Sequence, residues 1–119
     1  MTALCIATAV GVTRLTVAAF TLVWTHSVEK VEWQEDWAVE PDRLVLTEAR
    51  VKGSGAGMEP GENAVLRDGW WSWRPARSVD RLLLGDSGVA GQWRICTHAS
   101  GCRPLADPAH APYQLESCP

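Results

Sequence analysis

Residues 31–39 alternate, and that alternation limits what the chain can fold into more than any other feature. Val31, Trp33, Trp37 and Val39 share one parity, while Glu32, Gln34, Asp36 and Glu40 mostly fill the other. A period of two is the pleat of a β-strand with one buried face, since a helix would repeat its apolar positions every 3.6 residues. Glu35 breaks the pattern because it carries the parity of the tryptophans. A carboxylate among apolar side chains is costly unless a cation pairs with it or it keeps its proton. Arg50, Arg14 and His26 are its candidate partners. A partner would make Glu35 structural, and without one it is a ligand-binding or acid–base group.

The neighbouring segments agree with a sheet. Residues 15–24 (LTVAAFTLVW) are apolar and rich in β-branched and aromatic side chains, with no helix cap, and read as one buried strand. Pro41-Asp42 turns the chain into residues 44–51, a third long strand that makes a hairpin with the second. Residues 3–9 are small and apolar, and Val10-Gly11 reads as a turn. Asp68-Gly69 is a tight-turn signal before Trp70, Trp71 and Trp73, and Pro75 ends that short strand. Residues 81–84 and 92–96 read as two further strands. After Cys102 the composition shifts to Pro, Ala and His. The expectation is one all-β domain over residues 1–105, a small antiparallel barrel or sandwich with helix below about 15%. A short, irregular, loosely ordered tail over residues 106–119 follows it.

Composition narrows the function classes. A chain of 119 residues supports one modest core. Its aromatic set is seven Trp against one Phe and one Tyr, and Trp serves both cores and binding surfaces. The net charge of -3 comes with an acidic stretch, Glu29 to Glu48, and no basic stripe, which argues against nucleic acid. The opening MTALCIATAVGV is apolar but short of the ~20 residues a span needs, and it lacks a positive leading region. No direct membrane span is therefore expected, and the lack of a signal peptide suggests the cytoplasm.

The polar candidates gather near the first hairpin. His26 ends a buried run beside Glu29, and His is a common proton carrier and metal ligand. With Glu29, Glu35, Glu48 or Glu59 it could make part of a metal site, or it could be a structural histidine. The loop after residue 52 (GSGAGMEPGE) has the glycines that allow close backbone approach, but it matches no phosphate-binding motif. The expected ligand-binding set is His26, Glu29, Glu35, Gly55, Gly57 and Glu59. In a hairpin Glu35 lies ~13 Å along the strand from Val31, near the turn and His26, so an organic solute suits the set better than a single metal ion. No catalytic motif stands out, and no catalytic residue, metal or cofactor is expected. Cys96 and Cys102 lie six apart around Gly101. A zinc site drawing on His98 or His110 lacks the usual knuckle spacing. A Cys96–Cys102 disulfide is sterically reasonable and favoured outside the cytoplasm, with two free thiols the alternative inside it.

Several strings resemble the DUF1850 family: FTLVWTHSVEK from Phe20, WQEDW from Trp33, EARVKGSGAGMEP from Glu48, DGWW from Asp68, and Arg94-Ile-Cys96 with Cys102. The resemblance runs from about residue 4 to residue 105. The family is uncharacterised, its members are often encoded beside TAXI-type TRAP transporters, and many carry a leading hydrophobic anchor. The resemblance implies a periplasmic or membrane-associated place and a joined Cys96–Cys102 pair. The leading expectation is a non-enzymatic accessory domain that binds a small organic solute, the transporter or its solute-binding protein. A small enzyme using His26 and Glu35 is one alternative. A structural interaction domain with a flat patch of Trp70, Trp71 and Trp73 is another.

Overall fold

The structure, a computed structural model, describes residues 2–25, 31–53, 63–85 and 93–119. It contains β1 (Ala3–Thr8), β2 (Gly11–Leu15), β3 (Ala19–Thr25), β4 (Glu32–Glu40), β5 (Arg43–Lys52) and β6 (Val65–Arg67). There follow β7 (Trp70–Trp73), β8 (Arg77–Val79), β9 (Arg81–Leu84), β10 (Arg94–Thr97), β11 (Gly101–Pro104) and β12 (Tyr113–Cys118). A single 3-10 turn, Pro108–His110, is the only helical element among the described residues.

All pairing is antiparallel and forms two sheets. The smaller runs β2-β1-β12-β9, and the larger runs β11-β10-β3-β4-β5-β7-β6, with β8 beside the far end of β5. The two strongly patterned hairpins lie at the centre of the larger sheet: β3 pairs β4, and β4 pairs β5. The Asp68-Gly69 turn joins β6 to β7 and is tight because both residues take positive φ, 53° and 85°.

The fold is a sandwich rather than a closed barrel. Each sheet ends in strands that pair on one side only, β2 and β9 in one and β11 and β6 in the other. The two sheets close instead through side chains. Leu4, Ile6, Tyr113, Leu115 and Leu84 of the smaller sheet form one buried cluster with Phe20, Leu22, Trp37, Leu44, Leu46 and Ile95 of the larger. Burial of this apolar surface, worth about 25 cal/mol per Å2, is the main term holding the layers together.

Two sequence expectations change. Residues 15–24 are not one strand, because β2 ends at Leu15 and β3 begins at Ala19, with each in a different sheet. Residues 106–119 are not a loose tail. They carry β12, which lies between β1 and β9, and its Leu115 is fully buried. Tyr113 and Leu115 alternate with Gln114 and Glu116, a short strand pattern that follows a Pro- and Ala-rich approach. The first and last strands are also tied covalently, by a Cys5–Cys118 disulfide.

Candidate functional site: a carboxyl on a tryptophan face

Register decides which side chains meet. On the sandwich side of the larger sheet, Phe20 opposes Trp37, Leu22 opposes Glu35 and Trp24 opposes Trp33. On the other flank of β4, Ala49 opposes Glu35 and Val51 opposes Trp33, and the next strand places Trp73 opposite Ala49 and Trp71 opposite Val51. The tryptophans thus line up across the strands instead of along them. Trp24 and Trp33 stack, with centroids 5.9 Å apart and planes 11° from parallel. Trp93 tilts against Trp24 at 5.2 Å, and Trp73 meets Trp33 edge-on at 6.0 Å. Cross-strand aromatic pairs of this kind add ~0.5–1.5 kcal/mol each beyond their buried area. Trp33 and Trp73 lie outside the buried cluster that joins the two sheets.

Glu35 stands in this face as its alternation foretold. Its Oε1 accepts a hydrogen bond of 3.2 Å from the indole Nε1–H of Trp37. Loss of water on burial pushes the carboxyl above its ordinary value of 4.5, opposed by the Trp37 hydrogen bond and by the charge of Arg77. Arg77 opens β8 opposite Leu46, so its backbone position has the parity of the sandwich face. It forms no ion pair within 4 Å of Glu35 among the described residues. Beside Glu35, Trp33 presents the opposite imbalance: its Nε1 is buried and has no hydrogen-bond partner among the described residues. An indole N–H left so costs on the order of 1–3 kcal/mol. The site therefore holds a carboxyl with one neutral donor and, two residues away, a donor with no acceptor.

The opposite face of the same strands is fully satisfied. Arg50 donates to Asp36 through two nitrogens, at 2.7 and 2.9 Å, to Gln34 at 3.1 Å, and also to Glu48. Asp36 accepts from Thr21 at 2.7 Å, and Gln34 donates to Glu32 at 2.6 Å. The Arg50 hydrogen bonds hold the Asp36 carboxyl below its ordinary value of 3.8, and Asp36 in turn holds the Arg50 guanidinium in its charged form. Arg50 is thus no partner of Glu35. Arg14 is not one either, because it donates to the Pro119 carbonyl at 2.8 Å and to Thr16 at 3.1 Å.

Of the expected ligand set, Glu35 alone falls within the described residues. His26, Glu29, Gly55, Gly57 and Glu59 lie outside them. Glu48 sits on the face away from Glu35. Trp70, Trp71 and Trp73 do not make a flat patch: Trp71 and Trp73 take the sandwich side, while Trp70 lies on the other, beneath Lys52 at 5.5 Å. Cys96 and Cys102 are joined, directly opposite each other on β10 and β11, and no cysteine is free for zinc. Among the described residues no three His, Cys, Asp or Glu side chains come together as metal ligands. Nor is any helix there long and apolar enough to cross a membrane.

Sequence reasoning missed Arg77, the orphan N–H of Trp33, and Cys5–Cys118. Only the last left a usable signal, an even number of cysteines at opposite ends of the chain.

Fold and site define a disulfide-braced antiparallel β-sandwich with a desolvated carboxyl on a tryptophan-lined face. The chain belongs to the DUF1850 family, described as a domain of unknown function, whose family model matches residues 20–105. That stretch contains every strand of the larger sheet but for the first residue of β3, and it leaves β1, β2 and β12 of the smaller one outside. No curated protein and no solved structure gives a match. The family description names no transporter, so the TRAP link implied by the resemblance finds no support in it.

Proposed function

We propose that this chain is a non-enzymatic binding domain that takes a small organic solute against the tryptophan-lined face around Glu35, in an oxidising compartment. One observation carries the reading: a mostly buried carboxyl and a buried indole N–H with no partner among the described residues stand two residues apart on the same face. Buried polar groups are paired in the great majority of native structures, so an unpaired one asks for an explanation, and a bound ligand is the one proposed. The indoles around them supply what solute sites use most, broad apolar walls with a few oriented polar groups. The compartment is supported by the cysteines, all four of which are paired. Such pairing persists in oxidising surroundings and is rare in the cytosol.

A thermal-shift screen of the oxidised protein tests this, with small sugars, carboxylates, amides and ammonium compounds as probes. A bound solute at a hundred times its Kd stabilises by ~2.7 kcal/mol. Trp33→Phe keeps an aromatic side chain, smaller than the indole, and removes the N–H, and it should weaken the hit by at least about fivefold. A screen without a hit, or a hit indifferent to Trp33→Phe, refutes the assignment.

A further inference from the structure

We infer that Cys96–Cys102 is a thiol–disulfide exchange site, opened by a dithiol that attacks Cys102, while Cys5–Cys118 is the bond that holds the fold. The two disulfides stand in different surroundings. Cys5 and Cys118 are diagonal across β1 and β12, since Cys5 opposes Glu116 and Cys118 opposes Ala3, and both are partly buried. Cys96 and Cys102 are directly opposite on β10 and β11, and Cys102 is exposed. Residues opposed in an antiparallel pair have Cα atoms ~4.5–5.5 Å apart, at the short end of the span that disulfides favour. Exposed, tightly spanned disulfides are the ones that exchange. The core does not depend on this bond. Ile95 enters the buried cluster, whereas Cys96 takes the other face of the sheet, outside it. The β10–β11 ladder keeps the two sulfurs opposite each other whether or not they are joined.

Register sets the direction of attack. A thiolate displaces one sulfur from the other along the line of the S–S bond, through a mixed disulfide. On one side of Cys96 stands Thr21 of β3, directly opposite it. On the far side of Cys102 no strand pairs β11 among the described residues, because β11 ends the larger sheet. A nucleophile therefore reaches Cys102 from the open edge and expels Cys96. The expelled sulfur faces a cavity of about 260 Å³, lined by Cys96 and Cys102 together with Thr21, Glu32, Arg50 and Arg94. Arg50 is bound to Asp36 and Glu48, and Glu32 accepts the Gln34 amide. Arg94 makes no ion pair among the described residues, and it lies two residues before Cys96 on the same face of β10. Its charge favours the departing thiolate, and a better leaving group speeds exchange. A second cavity, of about 610 Å³, borders Cys96 along the strand beside Thr97 and His98, so the bond lies between two open spaces.

The exchange balances as two displacements. The first thiolate of the dithiol bonds to the Cys102 Sγ, the Cys96–Cys102 bond breaks, and Cys96 departs with the electron pair. The second thiolate then attacks its own partner sulfur in the mixed disulfide, and Cys102 departs in turn. The two protons of the dithiol end on Cys96 and Cys102. The dithiol is oxidised to a disulfide, and this chain gains two electrons.

The test equilibrates the oxidised full chain in about 10 mM reduced and about 0.1 mM oxidised glutathione, followed by acid quench, alkylation and peptide mass spectrometry. Cys96–Cys102 should be open in at least about a tenth of the molecules, with Cys5–Cys118 closed and the circular dichroism unchanged. Dithiothreitol, the dithiol probe, should open Cys96–Cys102 at least about tenfold faster than Cys5–Cys118. At early times the trapped glutathione mixed disulfide should sit on Cys102, in at least about fivefold excess over Cys96. Arg94→Gln should slow opening by dithiothreitol about two- to threefold, and Arg94→Lys should restore the rate. A pair that stays closed in the glutathione buffer, or opens only together with Cys5–Cys118, overturns the exchange site. A mixed disulfide found equally or mainly on Cys96 overturns attack at Cys102. An unchanged rate in Arg94→Gln, or an equal loss in Arg94→Lys, overturns the role of the Arg94 charge.

Discussion

Removing Cys5–Cys118 should cost far more stability than removing Cys96–Cys102, although both are cross-strand links. The first closes a loop of 113 residues and the second a loop of six. The chain-entropy relation gives ~4.8 kcal/mol for the long loop and ~2.2 kcal/mol for the short one. With an unfolding entropy of about 0.25 kcal/mol/K for a chain this size, those losses correspond to falls in Tm of roughly 20 °C and roughly 9 °C. Structure widens the gap. Cys118 ends β12, which pairs β1 on one side and β9 on the other and holds the fully buried Leu115 in the core. Cys96–Cys102 spans a hairpin that the β10–β11 ladder already closes. Scanning calorimetry of Cys5→Ala/Cys118→Ala and Cys96→Ala/Cys102→Ala, each against the oxidised parent, reads the difference. Equal falls, or a larger one for the Cys96 pair, would show that loop closure does not govern the contribution of these bonds.

Glu35 and Asp36 are adjacent, face opposite ways and should respond to pH with opposite signs. Glu35 is raised in the folded state, so its contribution is whole below 4.5 and is lost as pH rises through the folded value. Asp36 is lowered, so its contribution is present above 3.8 and is lost as pH falls through the folded value. Urea midpoints from pH 2.5 to 7 should show Glu35→Gln gaining on the parent as pH rises and Asp36→Asn losing less than the parent on acidification; profiles parallel to the parent would contradict both assignments. Trp33→Phe without ligand should shift stability by less than about 2 kcal/mol, since removing a buried donor with no partner among the described residues offsets part of the packing lost with the larger ring. A larger loss of stability in that variant would reveal a partner for the indole.

How much of this was legible depended on distance along the chain. The two central hairpins were readable because alternation and turn chemistry are local: residues 31–39, Pro41-Asp42 and residues 44–51 lie next to one another and pair next to one another. The smaller sheet was not readable, because its centre joins the first strand to the last. Nothing near Cys5 announces Cys118, and six residues of modest alternation after a Pro-rich approach do not by themselves distinguish a strand from a tail. Cys96–Cys102, closing six residues, was within reach of the same reasoning that could not reach 113.

The partner of Glu35 was illegible for a different reason, and that reason makes the site. Counting by twos along β5 from the buried Leu44 and Leu46 puts Glu48 and Arg50 on the sandwich side, with Arg50 near Glu35. The register shifts between Asp36 and Trp37, where Asp36 opposes Glu48 but Trp37 opposes Leu46. Thr47 is the extra residue, and its hydroxyl donates to the Asp36 carbonyl at 3.1 Å. One inserted residue reverses the parity of everything beyond it. Ala49 and Val51 therefore turn inward, and Arg50 turns outward to Asp36 and Glu48. The same irregularity falls beside the break between β7 and β8, where the pairing on β5 passes from Ala49 to Leu46 and Arg77 enters opposite Leu46. Without the bulge, Arg50 would neutralise Glu35 and the tryptophan face would hold an ordinary buried ion pair. With it, Glu35 is left to the indole N–H of Trp37, the arrangement on which the proposed solute site rests.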